Sequence, residues 1–377
     1  MGTIMKKKSP QTTLSDRATL ITGFPGFLAG RLLDSLIRVQ RHGDFTFLIQ
    51  SKMRGLAQKR LDEITRMHPE FKGEFHLIEG DISAPNLGLS ESEYQSLQEK
   101  IGVVWHLAAI YDLAVPEELA YRVNVGGTVK VVDFCAGLKN GRLNYVSTCY
   151  VAGKRQGAIL EDELDEGQAH NNHYESTKFW AEMEVQRRMS EVPSVIFRPS
   201  IVVGDSRNGK TDKYDGPYYL LKMIKKLPSW APFPQIGRGD TFVNIVPVDF
   251  VSNAMAHIGL KDGTENKVYH LADPHPMRAK DIIALGLKCM DRPKTRGFLP
   301  PKLLDAALSV EGLEKRLGIP REVLEYFTHD ARYDTTNASK ALADSEVRCP
   351  HLSAYMQALV DYFEQFPDKE FLDGRAV

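Results

Sequence analysis

Apolar residues along the chain follow two rhythms. Short unbroken runs at 18–21, 45–49, 75–82, 103–109, 143–146 and 195–199 have the length and the β-branched or aromatic content of buried strands. Between them apolar residues recur at helical spacing, as in Leu32, Leu33, Leu36, Ile37 and Val39, or Val129, Val131, Val132, Phe134 and Cys135. This alternation from 18 to 200 predicts a parallel sheet covered on both faces. After Gly204 the rhythm breaks. Residues 205–216 are polar and glycine-bearing, 218–224 read as helix, and 227–234 are aromatic and broken by proline. The segment 244–249 leads into a helix over 250–260, a strand over 268–271 follows, and helical patterns dominate from 275. The predicted fold is α/β, a Rossmann-type doubly wound parallel sheet with a smaller, mostly helical C-terminal substrate lobe. Residues 1–16 are expected to form a flexible tail, 17–204 the Rossmann domain with 240–274 returning to it, and 205–239 with 275–377 the lobe.

Composition narrows the function classes. A chain of 377 residues can bury a full core, and 42% hydrophobic content is that of a globular protein. The net charge of -1 gives no overall electrostatic footing for nucleic acid. No apolar run approaches the ~18 residues a membrane span needs. Lys6, Lys7 and Lys8 are not followed by the apolar stretch of a secretory signal. Cys135, Cys149, Cys289 and Cys349 lack Cys-x-x-Cys spacing, so reduced thiols in a cytoplasmic protein are expected, with no metal site and no disulfide framework.

The first strand runs into Thr22, Gly23, Phe24, Pro25, Gly26 and Phe27, and a helix follows at once. That context gives a Gly-x-x-Gly-x-x-Ala run its meaning. Gly23 permits a tight turn, and Gly26 lets backbone approach a pyrophosphate at the helix N-terminus, where free N–H groups favour anions. Ala29 lets helix and strand pack closely. At the tip of the second strand an acid would hold the ribose 2′-hydroxyl of NAD, but Gln50, Ser51, Lys52, Met53 and Arg54 stand there. Lys52 and Arg54 therefore favour NADPH, with NADH left open and solvated loop charges as the plainer reading. Asp81, followed by Ile82, ends the third strand where a carboxylate can reach the adenine amino group. Ala108 and Ala109 are small enough for a cofactor to cross the sheet edge. His106 has no partner at ligand spacing and reads as a structural hydrogen-bonding group.

Tyr174 and Lys178 stand four apart in a helical stretch and so share one face. A cation beside a phenol stabilises phenolate and makes the tyrosine a usable proton donor near neutral pH. The pattern alone is weak, since a solvated helical pair has the same spacing. Ser147 and Thr148, at the carboxyl end of the fifth strand, supply hydroxyls where open α/β sheets bind ligands.

With these pieces placed, the chain resembles an extended short-chain dehydrogenase/reductase. Within that superfamily it is most similar to the reductase domains of bacterial fatty acyl-CoA reductases, near the male-sterility and thioester-reductase branch. The resemblance lies in His106-Leu107-Ala108-Ala109-Ile110-Tyr111-Asp112, in the stretch from Arg198 to Ser206, in Asp212 to Tyr219, and in Asn244 to Val251. It covers about 18 to 365. It implies an active-site set of Thr148, Tyr174 and Lys178, with Ser147 as the neighbour able to substitute. It also implies cofactor contacts at Gly23, Gly26 and Ala29, at Asn124 near the nicotinamide, and at Lys178 on the nicotinamide ribose. Gly30 and Gln50 stand where relatives often carry basic residues, and Arg31, Lys52 and Arg54 are candidates to compensate.

The implied activity is NADPH-dependent reduction of a long-chain acyl-CoA or a fatty aldehyde, in lipid metabolism. Whether both reductions occur is open. Apolar residues Leu299, Leu303, Leu304, Ala307, Leu308, Val310 and Leu313 are candidates to line an acyl channel, against plain amphipathic packing. A nucleotide-sugar epimerase or dehydratase, a hydroxysteroid-type dehydrogenase and a non-catalytic NADP-binding module remain as alternatives. Monomer and homodimer are both open, and a greasy substrate leaves peripheral membrane contact open.

Overall fold

The computed structural model describes residues 13–40, 43–111, 116–308 and 330–367. Seven strands form one sheet: β1 (Ala18–Thr22), β2 (Phe45–Ile49), β3 (Phe75–Glu79), β4 (Ile101–His106), β5 (Arg142–Val146), β6 (Ser194–Pro199) and β7 (Lys267–Leu271). Their spatial order is β3-β2-β1-β4-β5-β6-β7, and every neighbouring pair is parallel. The apolar runs predict this doubly wound α/β sheet, and the order reverses between β1 and β4, where such sheets bind ligands.

Each strand sends alternate side chains to opposite faces, and each face has its own helical cover. On one face α1 (Phe27–Val39) and α2 (Arg54–Met67) pack Leu32, Leu36, Leu61 and Ile64 against Ile21, Phe45 and Phe47. On the other, α3 (Gly127–Ala136) and α4 (His173–Arg187) pack Val131, Phe134, Ala181 and Val185 against Leu20, Val104 and Ile196. A second core belongs to the lobe. There α5 (Pro217–Lys226), α6 (Ala279–Cys289) and α7 (Leu352–Gln365) bury Leu221, Ile283, Tyr355 and Phe363 together.

The helical run that leads into α3 begins ahead of Asn124. Glu117–Ala120 is helical and Tyr121–Gly126 forms a wider π-type turn before α3. Within that turn the buried Asn124 side chain bonds both backbone groups of Ile110, accepting from its N–H at 2.8 Å and donating to its carbonyl at 3.2 Å. Of the apolar residues proposed to line an acyl channel, Val310 and Leu313 lie outside the described residues, as do most of the tail and the segment 309–329. Leu304 is buried and Leu303 exposed.

Candidate active site

The glycine turn sits where β1 ends against β4. Gly23 has φ +84°, and a Cβ there would meet the Ala108 nitrogen at 2.6 Å, so only glycine fits both the dihedral and the approach. Gly26 caps α1, and a Cβ on it would lie 2.7 Å from the Gly23 carbonyl. The cradle thus leaves backbone, not side chain, facing the first turn of α1, as a pyrophosphate requires. Pro25 and Phe27 are half-buried on the turn, while the Phe24 ring packs 4.5 Å from Phe47 in the core.

Thr22 and His106 are spent internally. The Ala108 N–H donates to the Thr22 hydroxyl at 3.3 Å, and that hydroxyl lies 2.7 Å from His106 Nδ1. On the other side His106 Nε2 lies 3.0 Å from the Thr128 hydroxyl, which donates to the Asn124 carbonyl at 2.6 Å. The directions require a neutral imidazole protonated on Nε2, and burial pushes the His106 pKa down to about 3. His106 is an orienting group. Asn124 itself bonds Ile110 and donates to Thr177 at 3.0 Å, tying the turn before α3 to α4.

Beyond the carboxyl ends of β2 and β3, Arg54 and Ser51 both bond Glu79, at 3.0 and 2.7 Å, while Lys52 is exposed. Asp81 accepts from the Ser83 N–H and hydroxyl, each at 2.7 Å. Ile82 is buried under Gly127. Arg31 does not face this end: it pairs with the fully buried Asp205 at the start of the lobe. Among the described residues, two buried polar atoms lack a partner at the carboxyl edge, the Gln50 side-chain amide oxygen and the Ser147 hydroxyl. Orphaned groups of this kind, beside the Gly23 cradle, fit a bound dinucleotide.

The candidate reacting side chains gather just past the end of β5 and in the first turns of α4. Asn172 caps α4 by accepting from the Glu175 N–H at 2.9 Å, and the Glu175 carboxylate accepts from the Asn171 N–H at 2.9 Å. This fixes Tyr174 in the first turn. Thr148, two residues past the end of β5, accepts from the Tyr150 N–H at 3.2 Å, and its hydroxyl also hydrogen-bonds Tyr174. Burial raises the Tyr174 pKa, the bond to Thr148 opposes the rise, and Glu175 and Asp215 add to it. Across the Tyr174 phenol, the Tyr111 ring packs edge-on at 4.7 Å and carries the Lys213 ammonium at 3.8 Å, so a loop of the lobe closes on the site.

Lys178 is one turn beyond Tyr174 and buried, and its ammonium is directed elsewhere. It donates to the Tyr145 hydroxyl at 2.8 Å and to the Val146 carbonyl at 2.7 Å. Burial lowers its pKa to about 7, against the opposing charge of Glu182. Tyr145 in turn hydrogen-bonds Thr128, so Lys178, Tyr145, Thr128 and His106 form one connected set. Sequence reasoning did not single out Tyr145 or Thr128. Tyr145 sits in a strand whose residues are all buried, and nothing in the pattern marks its hydroxyl; the one faint signal is Thr128 four residues after Asn124.

Residues 21–255 match the family model described as male sterility protein, an NAD-binding domain. The chain is 28% identical over 287 residues to the fatty acyl-CoA reductase wat of Drosophila melanogaster, covering 67% of this chain and 56% of that protein. It is 25% identical over 366 residues to a linear gramicidin synthase polypeptide of Brevibacillus parabrevis, 92% of this chain but 7% of the synthase polypeptide. It thus spans only part of these relatives. Among solved structures, the terminal R domain of the myxalamid PKS-NRPS pathway superposes with a TM-score of 0.78 at 25% identity, covering 95% of this chain and 93% of that one. The sheet, the glycine cradle and the family match agree: the chain belongs to the male sterility protein family, whose shared unit is an NAD-binding domain.

Proposed function

We propose that the chain is an NADPH-dependent reductase of long-chain fatty acyl thioesters, such as acyl-CoA, or of fatty aldehydes. The observation that carries this reading is the Thr148–Tyr174 hydroxyl pair, backed one turn on by buried Lys178 at the carboxyl edge of the sheet. The two hydroxyls face a substrate carbonyl oxygen and stabilise the charge that develops on it. Tyr174 donates the proton, and the Ser147 hydroxyl is the neighbouring substitute. Lys178 would hold the nicotinamide ribose and, with its ammonium turned from Tyr145 toward the site, would lower the Tyr174 pKa. NAD(P)H supplies the hydride. A thioester then gives a hemithioacetal that collapses to aldehyde and free thiol; an aldehyde gives the alcohol.

The remaining assignments belong to the same proposal. Backbone at Thr22, Gly23, Phe24, Pro25, Gly26 and Phe27 would cradle the pyrophosphate, Asp81 and Ile82 would take the adenine, and Ala108, Ala109 and Asn124 would take the nicotinamide half. A 2′-phosphate would be met by exposed Lys52 and would compete with Glu79 for Arg54. The first experiment follows NADPH, and separately NADH, by absorbance with a long-chain acyl-CoA and with the matching aldehyde. Oxidation of NADPH with release of free CoA supports the thioester reductase; aldehyde turnover alone makes it the second-step enzyme. Silence with both, while NADP(H) binds, moves the assignment to the sugar or steroid readings. A thioester delivered by a biosynthetic assembly instead of CoA is a second reading, favoured by the superposition on the myxalamid R domain along 95% of the chain. Turnover of an acyl-pantetheine thioester with no turnover of acyl-CoA would select it.

A further inference from the structure

We propose that the lobe carries a docking face for an anionic lipid bilayer, centred on Trp230. This goes beyond the reductase reading and does not rest on it. Trp230 is 78% exposed, on a turn closed by the Ala231 N–H donating to the Pro228 carbonyl at 2.9 Å. Pro228, Pro232 and Pro234 stiffen the turn and buried Phe233 anchors it, so the indole is held outward. The segment 292–299 runs alongside. Arg292 donates to the Leu227 carbonyl at 3.2 Å, the Arg296 N–H to the Phe233 carbonyl at 3.1 Å, and the strand Phe298–Leu299 pairs with Gln235–Ile236. Phe298 and Leu303, at 63% and 59% exposure, extend the apolar edge.

Positive charge predominates on the two segments that build this turn. Residues 217–239 hold four Lys or Arg and no carboxylate, and residues 286–304 hold five with Asp291 alone against them, in a chain whose net charge is -1. Lys294, Arg296 and Lys302 are exposed on or just after the segment that runs beside the aromatic turn, and Lys225 is exposed on the helix before it, its ammonium 5.5 Å from the Phe363 ring. An outward indole and phenyl ringed by cations match the layered chemistry of a bilayer surface, with aromatic rings at headgroup depth and ammonium and guanidinium groups on lipid phosphates. An acidic protein partner would meet the same charge, and its capture in place of vesicles is an outcome that overturns the proposal.

The test is sedimentation of the full chain with phosphatidylglycerol/phosphatidylcholine vesicles and with pure phosphatidylcholine vesicles, without substrate or cofactor. Binding is expected to the anionic vesicles alone and to be lost in about 0.5 M salt, where charges a few ångströms apart are screened. Trp230→Ser should weaken partition about tenfold, from loss of one buried aromatic side chain. Lys294→Gln with Arg296→Gln should weaken it roughly 25-fold, at about fivefold per charge. No sedimentation with anionic vesicles at low salt, or binding indifferent to both variants, overturns the proposal. So does capture of an acidic acyl carrier protein, or a concentration-dependent dimer, through these residues with no vesicle binding. Because no turnover is read, failure here leaves the reductase assignment standing, and the reverse also holds.

Discussion

Two buried cations, one on helix α4 and one facing it, are held in opposite ways. Lys178 and Glu182 stand one turn apart on α4. Arg198, on β6, meets Glu182 through three contacts of 2.6 to 3.1 Å and is closed off by His270 Nε2 at 3.1 Å. His270 lies 2.7 Å through Nδ1 from the Asp334 carbonyl, so it is neutral and accepts from the guanidinium, and burial pushes its pKa down to about 3. Among the described residues Lys178 bonds no carboxylate, only the Tyr145 hydroxyl and the Val146 carbonyl. A cation locked to a carboxylate keeps its charge and fixes position. One held by neutral oxygens stays near its titration point and is free to be recruited, as the pKa of about 7 for Lys178 expresses.

The sharpest way to break this contrast is Arg198→Met. It strands the Glu182 carboxylate in the interior and should cost about 3–5 kcal/mol in urea unfolding. Adding Glu182→Met should return most of that loss, because an apolar pair of similar volume needs no partner. If Arg198→Met unfolds at the same urea concentration as the parent, the lock is not what holds α4 to β6. Tyr174→Phe comes next. It should reduce kcat by about 10²- to 10⁴-fold, the usual worth of a positioned proton donor, with NADPH affinity by fluorescence titration nearly unchanged. Undiminished turnover would remove Tyr174 from the chemistry.

The sheet is legible in the sequence because each of its strands is a short apolar run bounded by glycine or a polar loop. The turn at Gly23 is legible for a different reason: the residues before and after it change period from strand to helix. Helical spacing likewise puts Tyr174 and Lys178 on one face. What spacing cannot supply is the receiving atom. The Tyr145 hydroxyl belongs to a strand buried along its whole length, 33 residues before Lys178. Arg31 meets Asp205 across 174 residues. Arg31 is an exposed helical cation by pattern, and only the docking of the lobe on α1 gives it a buried carboxylate. The Asn124 bonds in the wide turn before α3 escape for the same reason, since that side chain answers to the Ile110 backbone and not to its own helix.

The smaller effects concern Lys178 itself. With the ammonium titrating near 7, kcat/KM measured against free enzyme should fall as pH rises through about 7, because the neutral amine loses its charge toward the ribose and Tyr174. Stability moves the other way. Between about 7 and the ordinary lysine value of 10.5 the unfolded chain binds this proton and the folded chain does not, so stability rises with pH there, and Lys178→Met should flatten the slope. Tyr145→Phe is the finest probe. It removes one acceptor from the ammonium and leaves the Val146 carbonyl, costing about 1 kcal/mol in stability. With less to favour the charged form, the falling limb of kcat/KM should move to lower pH. Thr128→Val, which touches His106 and not Lys178, should leave the limb in place. A limb that shifts equally in both variants would mean that the whole buried set, not the Tyr145 hydroxyl, holds Lys178 ready.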